Sequence, residues 1–378
     1  AAAPAPGASE TSTIVDEETE RVLNAQLGRL RLAERGGGRH GAGGGGARAA
    51  EHPLCARVLK GHGGPVAGVC FGGPCGTLVA TVCPEDRSCR VWDASSPAAA
   101  PRRVAVAVAE PTGVAFAGAG AALAVCCTRG AETVLRGYPV VPAGGAAGGE
   151  PAWELPAHGR RAVLCVASAP PPRGEHEEGP PVSVVVTCAE GTRVGLWLCK
   201  ASSAEPLGEV DVAQLRNHTA AVSPDGRFLA AGAFLSEVVV WELPWDRRTG
   251  GPAGRPSRAM SLPGHAKGVT AVAFGRGSTR CCTASRDGRF AVWDLEVQYW
   301  RNGEEPRLVC GGYAPEGCPA GHFSHAAVGC AGGVCCAAGG ALYFVDGATG
   351  EVLERVDAAH GGAPVAALAA APLPMLGG

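Results

Sequence analysis

One stretch of this 378-residue chain restricts its fold more than any other. It opens Leu262-Pro-Gly-His265, closes Val292-Trp293-Asp294, and holds a Ser285-Arg-Asp287 turn. Alternating apolar residues mark strands at Val269–Phe274, Cys281–Ala284 and Arg289–Leu295. Pro-Gly-His265 sits in the loop leading into the first of them. An antiparallel sheet built this way gathers His265, Ser285, Asp287 and Trp293. Those four residue types can satisfy one another: carboxylate to imidazole, imidazole to hydroxyl, hydroxyl to indole N–H. A buried polar group is tolerable only when paired, so the four belong together.

A second copy has the same internal offsets. Lys60-Gly-His62 begins it and Val91-Trp92-Asp93 ends it; Asp86 precedes Trp92 by six residues, as Asp287 precedes Trp293. Pro84 takes the place of Ser285, which predicts that the hydroxyl link is lost here and leaves His62, Asp86 and Trp92. A Gly-His opening and a Trp-Asp close resemble WD repeats, each of which supplies a four-stranded β-propeller blade. The expected fold is therefore all-β, a WD-repeat propeller over residues 51–378.

Weaker copies follow the same rhythm. Blade one covers about 60–93 and blade two about 103–140, where neither signature pair survives. There Gly118-Ala-Gly120 reads as a turn between two strands, not as a dinucleotide loop, which needs a helix after it. Blade three runs about 155–199 from Ala157-His158 to Leu196-Trp197, with Gly191 in the aspartate position and a Pro/Glu-rich insertion, Pro170–Pro181. Blade four, about 209–243, ends Val240-Trp241-Glu242; blade five is the opening stretch; blade six spans about 307–347. A seventh blade starts at Val352, with Ala359-His360-Gly361 and one inner strand, Pro364–Ala371; Cys55–Leu59 is placed to be its outer strand. Two strands of it are missing. The chain is thus expected to lack C-terminal strands or to take a partner strand at that gap, because open sheet edges invite pairing.

Residues 1–50 have a different character. An Ala/Pro/Ser-rich tail, residues 1–12, reads as disordered, and Gly36–Gly46 as a linker. Between them, about 13–35 reads as one amphipathic helix. Its acidic residues Asp16, Glu17 and Glu18 suit the N-terminus, Arg29, Arg31 and Arg35 the C-terminus, and Val15, Val22, Leu23, Leu27 and Leu30 form a stripe.

Composition narrows the function. The 33 basic and 35 acidic residues nearly balance, so nothing marks a nucleic-acid partner or an anionic membrane surface. The 17 cysteines fall in apolar strands, several as adjacent pairs such as Cys126-Cys127 and Cys281-Cys282. Neighbours on a strand point to opposite faces, which suits small core residues in a reducing compartment better than ligands to one ion. No Cys-x-x-Cys zinc spacing occurs. A mixed cluster of Cys318, His322, His325 and Cys330 is the remaining metal candidate; no metal or cofactor is expected. No run of eighteen apolar residues occurs, so no membrane span is expected.

The stretch His218-Thr-Ala-Ala-Val-Ser-Pro-Asp-Gly-Arg-Phe-Leu-Ala230, then Val239-Val-Trp-Glu242, resembles the transducin β-like family of WD-repeat proteins. Leu262-Pro-Gly-His-Ala-Lys-Gly-Val269, Ala284-Ser-Arg-Asp-Gly288 and Trp293-Asp-Leu-Glu-Val-Gln-Tyr299 follow in the same order. The resemblance is clear over about 210–310 and extends more loosely over 55–371. It implies a non-enzymatic scaffold in the cytosol, on the cytosolic side of the endoplasmic reticulum, linked to a stress-sensing kinase and to translation control. The family's N-terminal membrane segment has no counterpart here, so any membrane link is expected through a segment outside this chain.

The expected function is a protein-interaction platform, since a propeller presents loops on a rigid frame. The loops beside the Gly-His and Asp positions share one face, and Glu85, Arg87, Lys267 and Arg286 are the candidate contacts for a protein partner. No small-molecule substrate is expected. An enzyme would have to borrow the Gly-His-type histidines His62, His158, His265 and His360 from the fold. A ubiquitin-ligase substrate receptor often carries Arg two residues after Trp-Asp; Ser95 and Glu296 stand there instead.

Overall fold

The period-two alternation seen in the sequence becomes twenty-four strands among the described residues of the computed structural model. The structure describes residues 58–73, 76–94, 101–105, 109–140, 150–170, 181–213, 216–234, 237–246, 251–314, 318, 321–329, 332–360 and 363–371. The expected helix at about 13–35 lies outside them, as do the tail, the linker and most of the Pro170–Pro181 insertion. From Leu59 onward the chain is one compact unit.

The strands form six antiparallel sheets of four, spanning residues 68–105, 110–159, 163–211, 217–262, 269–313 and 325–356. Each sheet is a meander, so every strand pairs with its neighbour in sequence. The first strands stand side by side in order: Gly68–Gly72, Glu110–Ala117, Val163–Ala169, Asn217–Val222, Val269–Phe274 and His325–Val328. They line a central channel with small side chains such as Ala115, Ala167, Ala221, Ala273 and Ala327.

Packing between faces holds the blades together. Five apolar clusters each join two successive blades, from one–two through to five–six. Adjacent cysteines divide between them, as expected of neighbours on a strand. Cys127 faces blade one while Cys126 faces blade three, and Cys281 faces blade four while Cys282 faces blade six. Burial pushes the Cys127 and Cys281 thiols up to about 12, so they behave as small core groups.

The ladder slips by one residue between the third and fourth strands at a tryptophan in three blades: Leu196/Trp197, Val240/Trp241 and Val292/Trp293. Such a bulge bends a strand and lets the outer edge wrap a large ring.

Seven blades were expected, and six are present among the described residues. The repeat in the sequence and the sheet in space are out of phase by one strand. Each sheet takes its fourth strand from the start of the next repeat: Arg102–Ala105 completes blade one and Val352–Val356 completes blade six. The stretch that opened the expected seventh blade is therefore the outer edge of the sixth. Residues 363–371 adopt no regular strand. They run along blade six, where the Val365 N–H donates to the Gly339 carbonyl at 2.8 Å, and Leu368–Ala371 reach the channel beside Cys70 and Phe71 of blade one. Val58 and Leu59 also carry no strand; the rest of the proposed outer strand lies outside the described residues.

Blade-to-blade contact sets a test of the fold. Gly120 turns the chain at φ +90°, and a Cβ there would lie 2.4 Å from Gly73 Cα in the neighbouring blade. Gly120→Ala is expected to cost about 1–3 kcal/mol, from backbone strain plus displaced main chain. Urea denaturation measures it; an unchanged midpoint would contradict the packing of blades one and two.

Candidate functional site

The buried polar relay forms, but with a different hydroxyl. In blade five the Thr283 Oγ1 lies 2.8 Å from His265 Nε2 and accepts the Trp293 indole N–H at 3.1 Å. Thr283 is fully buried and faces inward from the second strand. Ser285, two residues on, does another job: its hydroxyl donates to the Lys267 carbonyl at 2.9 Å and accepts the Asp287 N–H at 3.2 Å. It closes the turn and does not link His265 to Trp293.

The same correction restores blade one. Thr81 Oγ1 lies 2.8 Å from His62 Nε2 and accepts the Trp92 N–H at 2.9 Å. Pro84 therefore breaks nothing. His62 Nδ1 meets Asp86 Oδ2 at 2.8 Å, while Asp86 Oδ1 accepts both the Ser88 hydroxyl and the Ser88 N–H. Blade three repeats the chain without its carboxylate: His158 Nε2 to Thr187 Oγ1 at 2.8 Å, Trp197 N–H to Thr187 at 2.8 Å, and Gly191 where the acid would stand. The signal was present in the sequence. A threonine precedes the tryptophan by ten residues in blades three and five and by eleven in blade one.

The carboxylates tie the relay to its loops. Burial raises Asp86, but bonds from Ser88 and His62 and from the Gly63 N–H outweigh it and hold the carboxyl down to about 2. Burial likewise acts first on Asp287, and the Ala266 and Arg289 N–H groups outweigh it, lowering that pKa too. The His265 pKa is lowered as well, but here burial is the cause. Burial pushes it down against the pull of Asp287, whose Oδ2 stands 3.5 Å from Nδ1 and accepts the Ala266 N–H at 2.7 Å instead. Blade five is thus the looser of the two complete relays on its acid side.

His62, Cys83 and Asp86 are the cluster of potential metal-ligating groups among the described residues. His62 and Asp86 already bond each other and Thr81, Ser88 and Gly63, so the group reads as relay plus a buried core thiol. Of the sequence-derived mixed cluster, Cys330 lies outside the described residues.

All four candidate contact residues are exposed. Lys267 and Arg286 lie together in blade five, where the Arg286 N–H donates to the Gly268 carbonyl at 3.0 Å. Glu85 and Arg87 sit on the corresponding turn of blade one, with Glu85 lying over Gly64. The structure thus splits the four into two pairs on different blades. It adds a feature that charge-reading missed: Phe234, on the equivalent turn of blade four, is 53% exposed beside Arg216 and His218.

The six meandering sheets and the His–Thr–Trp relays define a WD-repeat β-propeller, a fold that serves protein-interaction scaffolds. The family described as "WD domain, G-beta repeat" matches residues 53–93 and 256–294. The particular likeness is to transducin beta-like protein 2. The human protein is 30% identical over 177 residues, 47% of this chain and 38% of that protein; the mouse protein is 27% identical over 263 residues, 68% of this chain and 55% of its own length. The matched stretches span about half the length of these relatives or less.

Two measurements test the relay. Thr283→Val leaves the Trp293 N–H without its acceptor and His265 Nε2 without its hydroxyl partner, both buried, and is expected to cost about 2 kcal/mol or more. Thr283→Ser keeps the oxygen and should cost about 1 kcal/mol, the loss of one buried methyl. Equal losses in chemical denaturation would place the link elsewhere.

Asp86 makes stability acid-sensitive. Its folded pKa of about 2 lies below the unfolded value of about 3.9, so the unfolded chain takes up the proton first. The contribution is full above about pH 4 and is lost as pH falls toward 2. Asp86→Asn should be less stable than the parent at pH 6, and the difference should shrink between pH 4 and 2.5. A constant difference would mean that this carboxylate carries no charge-dependent stability.

Proposed function

We propose that this chain is a non-enzymatic protein-interaction scaffold that meets its partner with the face bearing the Gly-His loops and Asp turns. One observation carries the reading: the groups that could do chemistry there are spent on structure. His62, His158 and His265 each bond a buried threonine, and Asp86 and Asp287 accept main-chain N–H groups in the turns. What the face presents outward includes exposed charge and the Phe234 ring on stiff turns. By resemblance to transducin beta-like protein 2, we place this scaffold in the cytosol, on the cytosolic side of the endoplasmic reticulum. Stress-kinase signalling or translation control is then its setting, with a kinase or a translation factor as partner.

Charge reversal of Arg87 and Arg286 together tests the face. Both are exposed and pair with no carboxylate among the described residues, so Arg87→Glu/Arg286→Glu should leave the denaturation midpoint within about 0.5 kcal/mol of the parent. The same variant should lose most proteins captured from cells by the parent chain, counted by mass spectrometry. An unchanged set of captured proteins would move the interface to another face.

A further inference from the structure

Phe234 is exposed because the backbone around it is pinned. Its N–H donates to the Arg216 carbonyl at 2.7 Å. On its other side Gly268 packs so closely that a Cβ would come within 3.0 Å of the Phe234 carbonyl oxygen. The ring stands 53% exposed, 6.3 Å from the His218 ring. Single exposed apolar residues are common and need no explanation. Here the surroundings supply one.

Cationic residues of two blades flank this segment. The Arg286 main-chain N–H donates to the Gly268 carbonyl, Lys267 precedes Gly268 in the chain, and neither side chain meets a carboxylate among the described residues. Arg216 stands on the other flank and pairs with Glu190. His218 fills the space between, and its Nε2 is buried without a hydrogen-bond partner. Burial first, then the nearby Arg286 and Arg216, push the His218 pKa down. The neighbouring acid, Asp287, is turned inward onto Ala266 and Arg289.

We propose that Phe234, His218, Lys267 and Arg286 form a docking site for an acidic peptide segment that carries an apolar side chain between its carboxylates. The inference rests on the scaffold reading and deepens it, naming the chemistry of the partner. The apolar side chain covers the Phe234 ring, a rigid aromatic anchor of the kind that dominates interfaces. Flanking carboxylates meet Lys267 and Arg286, whose charges steer association and set register. A long polyanion fits less well: two unpaired cations are few, and the chain carries a net charge of −2.

The test is fluorescence anisotropy on the full chain with a labelled octapeptide, Glu-Asp-Glu-Leu-Phe-Asp-Glu-Asp. Two controls carry Lys for every acid or Gly-Gly for Leu-Phe. The expected result is saturable binding of the first peptide only, weakened at least tenfold by Phe234→Ala and by Lys267→Glu/Arg286→Glu, and weakened by added salt. Absence of binding, equal binding of either control, or indifference to Phe234→Ala overturns the proposal. So does preference for an oligo-dT 20-mer or for phosphatidylserine vesicles. Capture from cells by the parent and by Arg87→Glu/Arg286→Glu separates the two readings. If that double variant loses its captured proteins while the parent ignores the octapeptide, the scaffold face stands and the acidic class falls. If capture is unchanged while the octapeptide binds through Phe234, the wider face falls and this site stands.

Discussion

A buried threonine hydroxyl holds each intact blade of this molecule. It has one oxygen and faces two nitrogens, accepting from an indole and lying within bonding distance of an imidazole. Thr81, Thr187 and Thr283 do this at distances between 2.8 and 3.1 Å. Each relay ties the segment before the first strand, which in blade three is the outer strand Trp153–Gly159 of blade two, to the second and third strands. It holds those two strands in register and orients the segment that carries the histidine. A tryptophan brings a large apolar ring to the core but leaves an N–H that must be paired. The threonine supplies that partner without admitting water.

The carboxylate does a separate task. Blade three keeps its His158–Thr187–Trp197 link with Gly191 in the acid's place, so the inner link does not depend on the acid. Asp86 and Asp287 instead gather main-chain N–H groups of the outer turns. Inner link and outer clamp are separable, which is why these turns can bear different residues while the sheet beneath is unchanged. A face assembled on such turns can vary its surface chemistry at little structural cost.

Much of this was legible in the sequence because the relevant signals are local. Strands such as Val269–Phe274 and Val334–Ala338 follow from alternation alone, and the histidines, acids and tryptophans follow from offsets. Two readings failed for reasons that are physical. Ser285 lies next to the Asp turn, but it stands two residues along the same strand face from Thr283, beside the Lys267 carbonyl, and only Thr283 lies level with the Trp293 indole. The blade count was off because a repeat ends at Trp-Asp while its sheet continues into the next repeat. Phe234 could not be read as exposed, because the bond that pins it comes from Arg216 and the close packing from Gly268 of another blade.

Blades two and six show how far the relay can be dispensed with. Blade six buries Tyr343 completely, and Phe323 bridges it to Phe290 of blade five through two edge-to-face contacts, at 5.7 and 5.9 Å. Blade two buries Tyr138 completely and pairs Arg136 with Glu154 at 2.7 Å. Tyr138 and Tyr343 each join an apolar cluster shared with the preceding blade, while the Arg136–Glu154 pair ties the outer two strands of blade two. Aromatic packing of this kind stabilises the contact between sheets more than the register within one. Blades one, three and five, each with a relay, therefore alternate with blades two, four and six, which have none among the described residues. Every relay-free blade packs against at least one neighbour whose inner strands are already held, and that arrangement explains how worn repeats persist in a regular fold.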